Sequence, residues 1–171
     1  MATFYDGTIP VLQSLLRTLR HVLQKASSHP DPTKTEETLF AARLIPDMFA
    51  LPDQIRLATQ FAENLAARLT AREPTTFADK PTTFAASFER IETVLETLAA
   101  ADKEVVNAQA DVLTETALGP ATVQMSGSAY AHTVVLPNVY FHVVTAYGIL
   151  RKEGVDVGKR DYYQGFFPKT E

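Results

Sequence analysis

Apolar side chains recur every three or four residues over most of the chain, and this spacing predicts four main helices with short connections. Thr8 is predicted to cap the first helix, and Pro10 fits its first turn. The pattern predicts one short helix over residues 35–44 and four main helices over residues 8–26, 53–72, 82–101 and 136–154. An all-α four-helix bundle is therefore the predicted fold class.

The last of these helices is predicted to be the central element of the fold. Pro137 opens it, Gly154 closes it, and its flanking positions are mostly apolar, so much of it should be buried. Asn138 and His142 are four residues apart and therefore lie on one face. A buried histidine needs a partner, because an unpaired polar group in a core costs a few kcal/mol. The partner could be a metal, a substrate or a protein group that forms an ordinary hydrogen bond, and the sequence does not decide among them.

Some segments depart from the long helical repeats. Residues 111–126 contain two β-prone stretches around a Leu-Gly-Pro turn, which predicts a small β-hairpin packed on the helices. Residues 45–51, bordered by prolines, are predicted as a helical turn or kink. Residues 102–110 and 128–135 are predicted to add helical turns. The polar and aromatic tail, residues 155–171, is expected to fold back over the bundle.

Composition narrows the class of protein. The 171 residues suit one domain spanning residues 1–171. The net charge of −4 and the lack of a basic cluster argue against nucleic-acid binding. The absence of cysteine excludes disulfides and thiolate chemistry. No apolar run approaches about 18 residues and no secretory signal is visible, so we expect a soluble cytoplasmic protein without membrane contact.

Three stretches carry a resemblance to a known group of proteins. They are YDGTIPVLQSLLRTL at residues 5–19, ARLIPDMFALPDQI at residues 42–55 and LPNVYFHVVTAYGILRKEGVDVGKRDY at residues 136–162. On these motifs the chain resembles an uncharacterised family within the DinB/YfiT-like superfamily of four-helix bundles. The resemblance spans nearly the whole chain and supports the fold more strongly than the chemistry.

The resemblance also implies a cofactor and a set of ligands. Typical superfamily members are described as metalloenzymes that hold a divalent metal with three histidines, one from the second helix and two, spaced HxxxH, from the last. Some members transfer low-molecular-weight thiols. The resemblance implies that Asp47, Asn138 and His142 stand at those three positions here. Asparagine is a poor replacement for a neutral imidazole, so the three-histidine metal site is only partly kept in this chain.

We predict a small-molecule pocket between the second and fourth helices. His142 is its candidate acid or base, Asp47 would orient or charge it, and Tyr140 is a third catalytic candidate. The alternative is a buried hydrogen-bond network that fixes the register of the helices. The predicted substrate-binding residues, all polar and near these positions, are Asn138, Arg43, Tyr130, Tyr147 and His132.

Several of these residues also have ordinary structural explanations. Arg43 and Asp47 are four apart and can form a helical ion pair. His132 fits an exposed loop histidine, and the tyrosines fit core rings whose hydroxyls are hydrogen-bonded. In the tail, residues 159–161 are Lys-Arg-Asp, and a salt bridge that pins the tail to the bundle is the preferred explanation.

Three function hypotheses follow. The first is an enzyme that uses His142 in proton transfer on a small organic substrate, during a transfer, an isomerisation or a cyclisation. The second is a non-catalytic ligand-binding bundle whose metal site has decayed. The third is a homodimeric interaction protein, with Phe166 and Phe167 forming an exposed apolar patch. No phosphate-binding loop, HExxH or GxSxG motif supports another reaction class.

Overall fold

The structure, a computed structural model, describes residues 1–77 and 79–167. Ala78 and the last four residues of the predicted tail lie outside the described residues. In chain order the helices are α1 (Ile9–Ser27), α2 (Glu36–Ala41), α3 (Leu51–Leu69), α4 (Phe84–Ala99), α5 (Lys103–Ala108), α6 (Gly127–Tyr130), α7 (Leu136–Lys152) and α8 (Lys159–Tyr163), and the strands are β1 (Leu113–Leu118) and β2 (Ala121–Ser126).

The four long helices form the predicted bundle. Helices α1 and α3 each pack between α4 and α7, and the closest association is between α3 and α7. The inner stripe of α1 shows how the sequence builds the core, because its leucines recur at helical spacing and are fully buried. Those leucines are Leu12, Leu15, Leu16, Leu19 and Leu23. The all-α prediction is confirmed.

Three helix starts follow the expected capping chemistry, whereas the predicted cap at Thr8 does not form. The side chains of Thr35, Thr83 and Asp102 accept hydrogen bonds from backbone N–H groups at the starts of α2, α4 and α5. Thr8 precedes α1 as predicted but caps nothing with its side chain, since its hydroxyl donates to the carbonyl oxygen of Phe4 at 2.8 Å. Pro10 lies in the first turn, where its missing N–H is harmless.

The second predicted helix ends earlier than expected. Helix α2 stops at Ala41, and residues 42–50 form an irregular loop before α3 begins at Leu51. Ala42 already has extended backbone, with a ψ of 143°, whereas Pro46 only prevents the helix from continuing through residue 45. A backbone hydrogen bond from Leu51 to Ala42 closes the loop at 3.1 Å. This loop passes beside α7, where the Cδ1 atom of Leu44 lies near Gly148.

Pro137 lies in the first turn of α7, as predicted, but the helical path starts earlier, at Gly127. The helical path runs from Gly127 to Lys152, with a π-helical turn over Ala131–Val135 between α6 and α7. A proline in an unbroken α-helix removes a hydrogen bond and clashes with the preceding turn. The wider π turn just before Pro137 accommodates the ring without ending the helix. Ser126 caps the start of this path, because its hydroxyl accepts from the N–H of Ala129 at 3.1 Å.

This continuous helix has the length and apolar composition of a membrane span, although the sequence predicted none. The prediction missed it because it counted unbroken apolar runs and started the helix at Pro137. Half of the most apolar window is buried inside the bundle. The buried half of its apolar side chains therefore contacts α1 and α3.

The predicted hairpin forms as an antiparallel pair in which Leu118 lies opposite Ala121. Gly119 takes a φ of 58° in the connecting turn, a conformation that glycine adopts without strain. Arg68 of α3 anchors the hairpin, since its guanidinium donates to the Thr116 hydroxyl at 2.8 Å and to the carbonyl oxygen of Met125. The hairpin thus depends on α3 for its position.

The described part of the tail folds back on α1, as predicted. Asp161 accepts hydrogen bonds from His21 at 2.8 Å, from Lys25 at 3.1 Å and from the backbone of Gly158 at 2.8 Å. Close packing reinforces this contact, because a Cβ atom at Gly165 would lie 2.0 Å from the carbonyl oxygen of Ser14. The salt bridge that was preferred for residues 159–161 is therefore formed by Asp161.

Replacing Asp161 by asparagine should release the tail in part. The hydrogen bonds from Gly158, His21 and Lys25 outweigh burial and lower the pKa of Asp161 to about 2. A carboxyl pKa lowered by folding stabilises the protein above its ordinary value near 4 and loses that contribution as the pH falls toward 2. We expect Asp161→Asn to reduce the free energy of unfolding by about 1–2 kcal/mol at pH 7.

The measurement is denaturant unfolding of both proteins from pH 7 downward. The difference between them should shrink between about pH 4 and pH 2. Asp156→Asn is the matched control, because it removes the same charge from an exposed residue of the same segment. Equal losses in the two variants would show that Asp161 does not hold the tail.

Candidate functional site

His142 lies on the face of α7 that packs against α3, with a relative exposure of 7%. Its Nδ1 atom lies 2.8 Å from Oε1 of Gln54, and Nε2 of Gln54 donates to the carbonyl oxygen of Phe49 at 2.9 Å. Because the Gln54 nitrogen is the donor to Phe49, the Gln54 oxygen is the acceptor from His142. The proton of a neutral His142 ring is therefore on Nδ1, and Nε2 carries the lone pair.

The Nε2 atom of His142 faces a small open cavity. It has no hydrogen-bond partner among residues 1–77 and 79–167. Every fully buried side-chain nitrogen in those residues does have a partner, so the Nε2 atom is not fully buried. This nitrogen therefore reaches solvent through the cavity, which has a volume of about 210 Å³. The cavity is lined by Asp47, Met48, Phe49, Gln54, Phe141 and His142.

Aromatic rings and burial keep His142 neutral. The Phe61 ring stacks on it at 6.3 Å, and Phe141 meets it edge-on at 5.3 Å. Burial, aided by the nearby positive charge of Arg56, lowers the pKa of His142 to about 4. At neutral pH the imidazole can accept a proton or a hydrogen bond but carries no charge.

Asp47 shares the cavity with His142 but does not orient it. It lies in the exposed loop of residues 42–50, and Gln54 supplies the hydrogen bond to the ring. The predicted ion pair between Arg43 and Asp47 is wrong, since the ion pairs of the described residues do not include it. The chain has left the helix by then, and exposed Arg43, which does not line the cavity, donates to the carbonyl of Met48.

Asn138 is not part of the cavity. It lies one turn before His142 on α7, as predicted, and is half-buried. Its amide nitrogen donates to the carbonyl oxygen of Val134 at 2.7 Å, which uses the side chain within its own helix. The predicted pairing of Asn138 with His142 in one pocket therefore does not form.

The predicted tyrosines and His132 also lie outside the lining of this cavity. Tyr130 faces a different cavity beside Arg68. Tyr140 is 38% exposed, because a residue two positions before His142 points to another side of the helix. Tyr147 packs edge-on against Tyr162 of the tail at 6.5 Å. His132 is exposed, as the alternative explanation held, and hydrogen-bonds to the Ser128 carbonyl.

The divalent metal implied by the resemblance does not fit the residues present. No group of three ligand-type His, Asp or Glu side chains occurs among the described residues. His142 already uses Nδ1 on Gln54, and the Asn138 amide is bonded within α7. One imidazole with a loop carboxylate across a cavity is a poor set for a transition metal.

Sequence reasoning missed Gln54, the residue that fixes His142. Its signal is a long amide on the apolar face of α3, next to Ile55 and one turn before Ala58, where only 1% of its surface is exposed. A buried amide requires hydrogen-bond partners on neighbouring elements. The spacing of apolar residues places Gln54 inside the bundle, but only the packing of α3 against α7 selects His142 as its partner.

The arrangement of helices and hairpin is that of a DinB-like helical bundle. The structure is similar to the crystal structure of a DinB family member protein from Shewanella denitrificans, with a TM-score of 0.85 and 31% sequence identity. The match covers 98% of this chain and 94% of that one. This finding confirms the family resemblance and the fold predicted from the sequence.

A match to a family model assigns this DinB-like chain to a particular protein family. The model of the Domain of unknown function (DUF1993) matches residues 4–163, and the chain belongs to that family. Among curated proteins, none matches the chain significantly. Family membership establishes a DinB-like fold and leaves the chemistry to be argued from the site.

His142 should make the stability of the protein depend on pH. Folding lowers the pKa of His142 from its ordinary value near 6.5 to about 4. As the pH falls from 6.5 toward 4, the unfolded chain binds the proton more readily than the native state, so the native state loses stability. Between pH 7 and pH 5 the expected loss is about 2 kcal/mol. His142→Leu should remove this loss.

The test compares urea unfolding at pH 7 and at pH 5. Val143→Ala is the matched control, because it weakens the adjacent buried position without removing a titratable group. It should lower stability at both pH values and keep the wild-type difference between them. A wild-type difference retained in His142→Leu would contradict a low pKa for His142.

Proposed function

We propose that the protein binds a small organic molecule in the His142 cavity and uses the imidazole as a proton acceptor. The observation that carries this proposal is the His142–Gln54 hydrogen bond, which leaves an unprotonated Nε2 facing an open cavity. A general base must be unprotonated at the operating pH and within reach of its substrate. The lowered pKa of His142 supports the first condition.

The chemistry begins with one proton transfer. An O–H, S–H or acidic C–H bond of the substrate breaks, its electron pair stays on the substrate, and the proton moves to Nε2 of His142. The resulting imidazolium keeps its Nδ1–H bond to Gln54, and the carboxylate of Asp47 across the cavity offsets its charge. A transfer, an isomerisation or a cyclisation is the class of reaction that such a step starts.

The size of the cavity limits what it can hold. A volume of about 210 Å³ is smaller than that of a drug-sized ligand site, which is about 300–1,000 Å³. Phe49 and Phe141 flank the cavity and are 57% and 55% exposed. We infer that only the reacting group of a substrate enters, while the rest lies against these two rings.

Proton abstraction can be tested without knowing the natural substrate. Small ketones, thioesters and aldehydes exchange acidic C–H protons for deuterium in D2O, and NMR follows the loss of the proton signal. We expect the protein to accelerate exchange for at least one of these compounds. His142→Ala should return the rate to the uncatalysed level while the circular dichroism of the helices stays unchanged.

Gln54→Glu separates a catalytic from a structural role. A carboxylate at this position still accepts from Nδ1 but stabilises the imidazolium, so it should raise the pKa of His142. The midpoint of the pH–rate profile should move upward with that pKa. Exchange that is absent for every compound, or that survives in His142→Ala, would overturn the proposed reaction. Binding detected without exchange would support a non-catalytic ligand-binding bundle instead.

A second candidate function is protein interaction through a homodimer, and an exposed apolar face beside the cavity favours it. On α7, Phe141 and Val144 are 55% and 49% exposed, and the loop of residues 42–50 adds Ile45 and Phe49 at 52% and 57%. We call these four residues the α7 face. The predicted patch at Phe166 and Phe167 is weaker, because Phe166 packs against the core.

We infer a second copy of the chain as the occupant of the α7 face. With about 150–250 Å² for each fully buried aromatic residue, the exposed parts of this face offer roughly 400 Å² per copy. A standard interface buries about 800 Å² per partner, so the α7 face would be the apolar centre of such an interface. A docked copy would also cover the opening between Phe49 and Phe141.

Val144→Glu should weaken this dimer, because it places a charge at the centre of an apolar interface. Sedimentation of the wild-type protein over a dilution series should give the mass of two chains that falls to one on dilution. The variant should require at least tenfold higher concentration to pair. Tyr163→Glu, at a residue of similar exposure on α8, should pair like the wild type. One fixed monomer mass for the wild type would exclude this dimer.

A further inference from the structure

A second cavity lies at the other end of α3 and has its own set of polar groups. Arg68 is fourteen residues after Gln54, which separates the two positions by about 20 Å along the helix. The cavity has a volume of about 680 Å³, within the range of small-molecule sites. Its walls come from the end of α3, the turn that follows, the hairpin and Tyr130 of α6.

Arg68 brings an unneutralised positive charge to this cavity. Its guanidinium lies over the Tyr130 ring at 4.5 Å and donates to Thr116 and to Met125 of the hairpin. These bonds use two of its five N–H groups. Among residues 1–77 and 79–167 no carboxylate forms an ion pair with it. Neighbouring Arg72 differs, because buried Glu63 holds it through both oxygens, at 2.7 and 3.1 Å.

Two neutral donors lie beside Arg68. The Tyr130 hydroxyl has no hydrogen-bond partner in the described part of the chain. Every fully buried hydroxyl there does have one, so the Tyr130 hydroxyl is not fully buried and reaches the cavity that Tyr130 lines. Burial raises the pKa of Tyr130, which keeps the hydroxyl protonated and able to donate. Asn64 lines the same cavity and accepts from Gln60 through its oxygen, which leaves its NH2 group as a further donor.

Two acidic side chains also line this cavity. Glu73 follows the end of α3 and Glu115 lies on β1, and both are exposed at the cavity. Neither forms an ion pair among the described residues. The cavity therefore presents one unneutralised cation and two unneutralised carboxylates. A dianion such as phosphate would be repelled, whereas a ligand with one charge of each sign matches both kinds of charge.

The turn after α3 brings Arg72 and Thr75 to Glu63 at the edge of this cavity. Ala71 adopts a φ of 52°, a left-handed conformation that is unfavourable for a residue with a Cβ atom. It turns the chain so that Arg72 and the backbone N–H of Thr75 both reach Glu63, the latter at 2.7 Å. The same residue ends α3, where the N–H of Arg72 donates to the carbonyl oxygen of Ala67 at 3.0 Å.

We propose that this cavity binds a small zwitterionic molecule of the amino acid class. The carboxylate lies on the guanidinium of Arg68 and the hydroxyl of Tyr130, and the ammonium group lies toward Glu73 and Glu115. The choice of arginine suits a planar carboxylate, which it can bind with parallel N–H groups. This site is independent of the His142 cavity.

The common amino acids, added singly at millimolar concentration to the full-length 15N-labelled protein, are the probes. At least one should shift the resonances of Arg68 and Tyr130 saturably. The analogue of that amino acid without its ammonium group and the analogue without its carboxylate should each bind about tenfold more weakly or worse. No saturable shift with any amino acid, or equal binding of the analogue without the ammonium group, would overturn the proposal.

Tyr130→Phe is the decisive variant, because it keeps the ring under Arg68 and removes only the hydroxyl. It should weaken binding roughly tenfold and leave the unfolding midpoint nearly unchanged. Arg68→Gln should abolish binding but also releases the hairpin, so its thermal unfolding must be measured alongside. His142→Ala is the control for the other cavity and should bind like the wild type. Wild-type binding by Tyr130→Phe would overturn the assignment.

Discussion

One hydrogen bond between the two most closely packed helices controls the chemistry available to this protein. A buried imidazole between α3 and α7 must have a partner, and Gln54 supplies it while being fixed itself by the Phe49 carbonyl. That chain of contacts decides which ring nitrogen of His142 carries the proton. It also connects the loop of residues 42–50 to the bundle, so loop, helix and histidine are positioned together.

The bond also explains why the metal chemistry associated with the superfamily does not carry over to this chain. An amide oxygen on Nδ1 leaves one imidazole nitrogen for an external group, and the neighbouring positions offer no second imidazole. A neutral histidine between phenylalanine rings instead presents an unprotonated ring nitrogen as a hydrogen-bond acceptor in an apolar setting. The DinB-like fold is thus shared with a relative at 31% identity, while the site is defined by residues of this chain.

The sequence was sufficient for the fold but only partly for the site. The leucine stripe of α1, the Leu-Gly-Pro turn of the hairpin and the tail motif around Asp161 each predicted their element, because these signals are local. His142 was found because a histidine on an apolar helix is visible in the pattern. Gln54 was missed, and Asn138 was misplaced, because hydrogen-bond partners across helices depend on packing that periodicity does not encode.

The π turn before Pro137 has a geometric consequence for both ends of α3. Tyr130 and His142 are twelve residues apart, which in an unbroken α-helix would place them about 120° apart around its axis. The π turn absorbs one extra residue, about 100° of rotation, and brings both side chains to within about 20° of each other. Tyr130 can then contact Arg68 while His142 contacts Gln54. One irregular turn therefore lets side chains from both cavities face the same helix, α3.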